Sequence, residues 1–222
     1  MPSANQVEID GPSIPQGLNG NGLSSLHRRG TVLFAEGEPA RGVYLLRSGR
    51  ASISISSSEG KVVILRLAKP GDMLGLNAVL NHQSYDTTLR TLEPCRTGFI
   101  PAADLIAHMR RSESAAQTIV KLLSDELTHL TGRARLLLLS QTVRGRLARL
   151  LLEWCKTADG TNSPASRIDR LLTQEEIAQM ICTSRETVAR LMAAFSRRQI
   201  IEVTPDSILI RDCAALESMV LD

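Results

Sequence analysis

Residues 173–203 read TQEEIAQMICTSRETVARLMAAFSRRQIIEV. Two helix starts stand in this stretch, ten residues apart. Thr173-Gln174-Glu175-Glu176 fits a capping box, with the threonine at the N-cap and Glu176 at the third helical position. Thr183-Ser184-Arg185-Glu186 fits a second, with Thr183 at the N-cap. That spacing leaves room for one short helix and a tight turn. The first helix is expected to bury Ile177, Met180 and Ile181. The second carries Val188, Leu191, Met192 and Phe195 at i, i+3, i+4 and i+7, which is one apolar face. After it, 200–203 and 208–210 flank Thr204-Pro205-Asp206-Ser207, the pattern of a hairpin. Helix, short turn, helix and hairpin together describe a winged helix-turn-helix.

The opposite face of the second helix carries Arg185, Glu186, Ala189, Arg190 and Arg197. Arginine suits bidentate contact with guanine, and glutamate accepts from cytosine N4. The small Ala189 between them would let the helix approach a groove closely. A second reading makes this a solvated face, with Glu186 spent on the cap. Charge favours the first. From 141 to 201 ten Lys/Arg stand against six acids, and from 202 to 222 one Arg faces five acids. The positive excess sits around the candidate reading head, where phosphate contacts need it.

Upstream, 102–156 shows helix signal and no proline. Val120, Leu123, Leu127, Leu130, Ala134 and Leu137 step by three and four, a seam that suits either a dimer partner or the chain's own β domain. Gly132 lies in this helix and marks a bend or a close contact. Residues 157–170 read as a polar loop. Between 24 and 101 the texture is strand and turn, with apolar or β-branched runs at 32–34, 43–46, 51–55, 62–67 and 96–100 punctuated by glycines. Residues 51–55 alternate like a half-buried strand. Many short strands at close spacing suggest a small sandwich or barrel. Residues 1–22, rich in Gly, Pro, Asn and Ser, read as a flexible tail.

The whole chain of 222 residues, 43% hydrophobic and 22% charged, has ordinary globular composition. Aromatics are only 3%, so the core is expected to be aliphatic. No apolar run reaches the ~18 residues of a membrane span, and the N-terminus lacks the pattern of a secretory signal. Cys95, Cys155, Cys182 and Cys213 are far apart, without zinc spacing, and read as reduced cytoplasmic thiols. A net charge of +3 permits nucleic-acid binding without arguing for it.

These features resemble the family of the cyclic-AMP receptor protein and the fumarate–nitrate reduction regulator, the Crp/Fnr family. Ile177-Ala178 through Ser184-Arg185-Glu186-Thr187-Val188-Ala189-Arg190 matches its I-[AG]-x-x-x-G-x-S-R-E-T-V-x-R signature. Gly145-Arg146-Leu147-Ala148-Arg149-Leu150-Leu151 matches the start of the helix that comes after the dimer helix. Gly30…Phe34-x-x-Gly37-Glu38…Val43-Tyr44…Gly49 and Gly71-Asp72-x-x-Gly75 match its β-roll. The resemblance covers about residues 24–213. It implies an α+β protein: an N-terminal antiparallel, jelly-roll-like β-roll of the cyclic-nucleotide-binding kind (23–111), a long dimerisation helix (112–140) and a C-terminal winged helix-turn-helix (141–222). It implies a homodimeric transcription regulator that is not an enzyme and reads a near-palindromic operator in double-stranded DNA. RNA polymerase is a further implied partner, and no membrane is. By position, Arg185, Glu186 and Arg190 become base readers, and Thr173, Thr183 and Ser184 phosphate-contact or capping residues.

The chain departs from the family at four places. The turn between the helices carries Cys182 where the family has glycine, and cysteine tolerates left-handed backbone poorly. The N-terminal cysteine cluster of the oxygen-sensing branch is absent, so no iron–sulfur cluster is expected, nor any other cofactor. In the effector cassette Gly75 is followed by Leu76 where the family has glutamate. Asp86-Thr87-Thr88 stands in place of Arg-Ser-Ala. On the dimer helix Thr131 is kept, but Gly132 follows it in place of serine. The effector is therefore unassigned and not expected to be cyclic AMP. Two rivals remain. A cupin-like metal enzyme needs clustered histidines, and His27, His82, His108 and His129 form no His-x-His. A sensor acting only through protein partners has no use for the Arg185/Glu186/Arg190 face.

Overall fold

In the computed structural model, residues 24–139, 142–159, 167–169, 172–204 and 206–221 are described. The tail reading at 1–22 lies outside them. The strands of the N-terminal half are β1 (Ser25–His27), β2 (Val32–Phe34), β3 (Gly42–Ser48), β4 (Ala51–Ser56), β5 (Val62–Ala68) and β6 (Met73–Leu74). A short helix α1 (Leu76–Leu80) follows, then β7 (Thr88–Thr91) and β8 (Cys95–Pro101). They form two four-stranded sheets, β1-β8-β3-β6 and β2-β7-β4-β5. β3 pairs antiparallel with β8, Val43 opposite Ile100, and β4 with β7, Ile53 opposite Leu89.

The roll buries two apolar clusters, one around Phe34, Leu46, Ile53 and Leu89 and one around Val43, Leu76, Ile100 and Ile119. The core is not purely aliphatic. Phe34 stacks on Tyr85 at 3.9 Å between centroids, and the Tyr85 hydroxyl donates to the Gly42 carbonyl at 2.6 Å. The alternation at 51–55 also reads differently in three dimensions. Ser52 and Ser54 are buried along with Ala51 and Ile53. Ser52 tolerates this by donating to the Arg90 carbonyl at 3.3 Å.

The helix signal after Pro101 resolves into α2 (Ala102–Arg111), α3 (Glu113–Leu139) and α4 (Val143–Asp159). Ser112 separates the first two in extended conformation, and its hydroxyl caps α3 by accepting from the Ala115 N–H at 3.2 Å. A Cβ on Gly132 would meet nothing within 4 Å, so this glycine marks no close contact among the described residues. The expected polar loop at 157–170 is shorter than read: α4 continues to Asp159, and Arg167–Asp169 is a strand, β9. Its reason is tertiary, since β9 pairs with a strand some forty residues later in the chain.

The remaining elements are α5 (Gln174–Ile181), α6 (Arg185–Arg197), β10 (Ile201–Val203), β11 (Ser207–Ile210) and α7 (Cys213–Leu221). β10-β11-β9 form a three-stranded antiparallel sheet. α4 packs on α7 and α5, and α5 on α6. Gly145 is required where α4 meets α7, because a Cβ there would lie 2.8 Å from the Met219 carbonyl oxygen. By contact the chain divides into two compact units. One runs up to Ser56 and resumes over Arg66–Thr128; the other joins Ser57–Leu65 to His129–Asp222.

Candidate nucleic-acid interface

The α5–turn–α6 unit is built from local chemistry. Thr173 caps α5: its hydroxyl accepts from the Glu176 N–H at 3.2 Å, and the Glu176 carboxylate accepts from the Thr173 N–H at 2.6 Å. This is the reciprocal box read from the sequence. Ile177, Ala178, Met180 and Ile181 are buried. The helix ends on Cys182 at φ 52°, ψ 57°, so the left-handed turn persists without glycine. The N–H of Thr183 returns to the Ala178 carbonyl at 3.0 Å, and Arg146 Nε donates to the Ile181 carbonyl at 2.9 Å. These bonds hold a conformation that a cysteine alone disfavours.

The second cap differs from the expected one. Ser184, not Thr183, is the N-cap of α6, and its hydroxyl accepts from the Thr187 N–H at 3.2 Å. Thr183 and Ser184 are both competent caps, and the left-handed turn at Cys182 leaves only the second in register with α6. Thr183 sits half-buried in the turn, and Glu186 becomes the second helical residue rather than the reciprocal partner. Its fully exposed carboxylate gathers over its own N–H and faces the Ser184 hydroxyl, which together hold it below the ordinary carboxylate range.

α6 buries Val188, Met192 and Phe195. Arg185, Glu186, Arg190 and Arg197 are exposed, and Ala189 is half-buried among them. Thr173 and Ser184, at the two caps, are also exposed. Behind α6, Ile200 and Ile201 are buried and lead into the β10–β11 hairpin. Its turn is closed by Thr204, whose hydroxyl accepts from the Ser207 N–H at 3.0 Å. Arg211 pairs with Glu202 at 2.6 Å across the hairpin, with both side chains about half exposed, so the pair adds little stability.

The seam read on α3 is an exposed apolar stripe. Val120 is 64%, Leu127 66% and Leu130 38% exposed. Ala134 is exposed, and Leu123 and Leu137 are half-buried. Leu138, 80% exposed, was hidden from the sequence reading by the run Leu136–Leu139, in which periodicity cannot choose a face.

The effector-cassette residues fall as follows. Gly75 adopts φ 87° at the start of α1, where a Cβ would lie 2.8 Å from the Tyr85 ring. Leu76 is buried in the roll core. Asp86 is exposed and accepts from Asn77 Nδ2 at 2.7 Å. Thr87 is half-buried, and the Thr88 hydroxyl accepts from the Glu36 N–H at 3.0 Å. Thr131 lies exposed on α3, in the other unit. Among the described residues no group of three or more His, Cys, Asp or Glu could hold a metal, and Cys95, Cys182 and Cys213 are in no disulfide.

Two arginines, Arg66 half-buried and Arg133 buried, escaped the sequence reading. Arg66 interrupts the apolar strand β5, which is the signal that could have flagged a partner. Its Nη1 donates to Asp72 at 2.6 Å, and its Nε and Nη2 to Glu126 at 2.9 and 2.6 Å. Burial works against its charge, but the bonds to Glu126 and the charge of Asp72 outweigh that and hold it above its ordinary pKa. Arg133, 8% exposed, donates from Nη2 to the Ile64 carbonyl at 2.9 Å. Burial pulls it below its ordinary pKa, opposed in part by Cys182 and Glu153.

Two family models match the two halves of the chain: the cyclic nucleotide-binding domain over residues 26–112 and the Crp-like helix-turn-helix domain over 145–219. The chain belongs to the Crp/Fnr family of transcription regulators. Its Crp/Fnr relatives include a CRP-like cAMP-activated global transcriptional regulator of Mycobacterium tuberculosis, 29% identical over 85% of this chain and 84% of that one. An anaerobic regulatory protein of Pasteurella multocida is 28% identical over 85% of this chain and 68% of its own. Among solved structures, FixK2 from Bradyrhizobium japonicum superposes with a TM-score of 0.76 at 20% identity, covering 89% of this chain and 96% of that one. A CRP-family regulator from Thermus thermophilus gives 0.73 at 21%, covering 89% and 97%. The Crp/Fnr helix-turn-helix is the α5–α6 pair, and it makes the C-terminal unit a DNA-binding domain. Among the described residues no helix is long and apolar enough to cross a membrane.

Proposed function

We propose that this Crp/Fnr regulator acts as a homodimer that reads a near-palindromic DNA site through α6, under a β-roll that does not take cyclic AMP in the family's usual way. The observation that carries the reading is the two-sidedness of α6. Val188, Met192 and Phe195 fix one face in the core, and Arg185, Glu186 and Arg190 stand exposed on the other with Ala189 between them. Arg185 and Arg190 are the guanine readers and Glu186 the acceptor for cytosine N4. Thr173, Thr183 and Ser184 contact phosphate at the two helix starts, where unpaired N–H groups favour an anion. The stripe of Val120, Leu123, Leu127, Leu130, Ala134 and Leu137 supports pairing of two copies along α3. RNA polymerase is the partner through which bound dimer affects transcription.

The relative from Mycobacterium tuberculosis is named for cyclic AMP, but the cassette here supports a different reading. A buried cyclic phosphate needs charge-assisted donors, each worth about 1.5–3 kcal/mol. The arginine position is Asp86, whose carboxylate would repel phosphate, and the ribose-binding position is Leu76, which is buried in the core and accepts nothing. No resident cofactor is needed for DNA reading.

Base-specific binding is tested with Arg185→Ala and Glu186→Ala on the operator selected by the wild-type protein. Each is expected to relax preference at one base position, at a cost of about 1–3 kcal/mol. Unchanged affinity and preference in both variants would remove α6 as the reader.

A further inference from the structure

We propose that Arg66 is a positioning residue for DNA reading: held by Asp72 in the β-roll, its guanidinium grips Glu126 and fixes the rotational phase of α3, and with it the seam on which two copies pair. The inference rests on the homodimeric DNA-binding reading above and adds a device to it.

Asp72 is itself fixed. Its carboxylate accepts from the Lys69 N–H at 3.2 Å, its N–H donates to the Lys69 carbonyl at 3.0 Å, and its carbonyl accepts from the Leu46 N–H at 2.9 Å. Arg66 spends Nη1 on this anchor, which aims the remaining edge of the guanidinium, Nε and Nη2, at Glu126 as a two-pronged fork. The side chains of Arg66 and Asp72 are 14% and 16% exposed and that of Glu126 34%, so the cluster is shielded and its geometry is held. A surface pair would be worth little; a shielded pair that loses one member leaves a charge without its partner.

Glu126 occupies a decisive place on α3. The helix is anchored to the roll core by Ile119, fully buried, and by Leu122 and Leu123, partly buried. Within the N-terminal unit, which ends at Thr128, the apolar anchoring of α3 ends at Leu123. The fork on Glu126 therefore supplies the last fixed point of the unit, one turn beyond Leu122. Successive residues in an α-helix are about 100° apart. Fixing the direction of Glu126 thus fixes that of Leu127, its neighbour in the stripe, and through it Leu123 and Leu130. Without the fork the stretch of α3 beyond Leu123 loses its last tie to the roll within this unit, and the seam that sets the spacing of two reading heads is held less firmly.

The test compares Arg66→Gln, Glu126→Gln and the double variant in the full-length chain. The readouts are the dimer constant by sedimentation equilibrium and the affinity for the selected operator and for operators with half-site spacing changed by one base pair. Each single variant is expected to weaken dimer or operator binding at least about tenfold and to flatten the spacing preference. The double variant is expected to be no worse than the weaker single, because the same interaction is lost once. Base preference at the positions read by Arg185 and Glu186 is expected to stay as in wild type. Arg66→Lys, which keeps the charge but not the fork, covers the case in which Arg66→Gln fails to fold, and is expected to fall between wild type and Arg66→Gln. Wild-type dimer constant and spacing preference in Arg66→Lys and Glu126→Gln, or effects that add in the double variant, would overturn the proposal. If the wild-type protein selects no DNA sequence, the function reading fails, and the dimer constants still decide the role of Arg66.

Discussion

Replacing Leu127 by glutamate should dissolve the dimer and leave the monomer folded. The side chain is 66% exposed in the single chain, so its intramolecular packing is slight. Full burial of a leucine is worth about 1.5–3 kcal/mol, and two-thirds of that is about 1–2 kcal/mol for each copy. Both copies lose it, which removes about 2–4 kcal/mol from association. Two carboxylates then face each other near the two-fold axis. At roughly 8 Å and an effective dielectric constant near 20 they repel by about 2 kcal/mol. The sum, about 4–6 kcal/mol, corresponds to a dimer constant weaker by roughly a thousand- to ten-thousand-fold. Sedimentation equilibrium measures that constant, and thermal unfolding of the same sample checks the monomer, whose stability should move by no more than about 0.5 kcal/mol. Operator affinity should fall with the dimer fraction. A dimer constant within about threefold of wild type, or a wild-type mass of one chain at micromolar concentration, would refute the seam.

Thr173→Ala removes the hydroxyl that accepts from the Glu176 N–H, and should cost the C-terminal unit about 1 kcal/mol in urea unfolding; no change would mean that the cap is dispensable. Cys182→Gly should stabilise by about 0.5 kcal/mol, because relief of a left-handed cysteine at φ 52° outweighs the entropy glycine loses on folding; a clear loss of stability would show that the half-buried thiol packs tightly. Calorimetry with cyclic AMP should show no binding up to about millimolar ligand, and micromolar binding with a gain in DNA affinity would contradict the reading of Leu76 and Asp86.

What could be read from the sequence was chemistry that acts over a few residues. Thr173 and Glu176 cap a helix wherever they stand three apart before an apolar stripe, and Val188, Met192 and Phe195 choose the buried face of α6 without help from the rest of the chain. Strands β2, β3, β4, β5 and β8 carried enough apolar or β-branched residues to announce themselves. β1, β6, β7 and β9 did not: they are two to four residues long, and in Thr88–Thr91 or Arg167–Asp169 pairing with a distant partner makes the strand. The slip of one residue at the α6 cap has the same origin, since the turn at Cys182 depends on bonds from Thr183 to Ala178 and from Arg146 to Ile181. Arg66 was legible only as an anomaly, a charge inside an apolar strand; its partner Glu126 is sixty residues away, and no local pattern connects them.

Sequence-specific reading of DNA by a symmetric pair of α6 helices is the function proposed for this chain. It is tested most directly by selecting bound duplexes from a random pool with the full-length protein at moderate salt. One near-palindromic site is expected to be enriched, with half-site centres about 10–11 base pairs apart, and preference at one position in each half is expected to be lost when Glu186 is replaced by alanine. Enrichment of no sequence above non-specific binding, or of a site whose preferences survive both Arg185→Ala and Glu186→Ala, would contradict it.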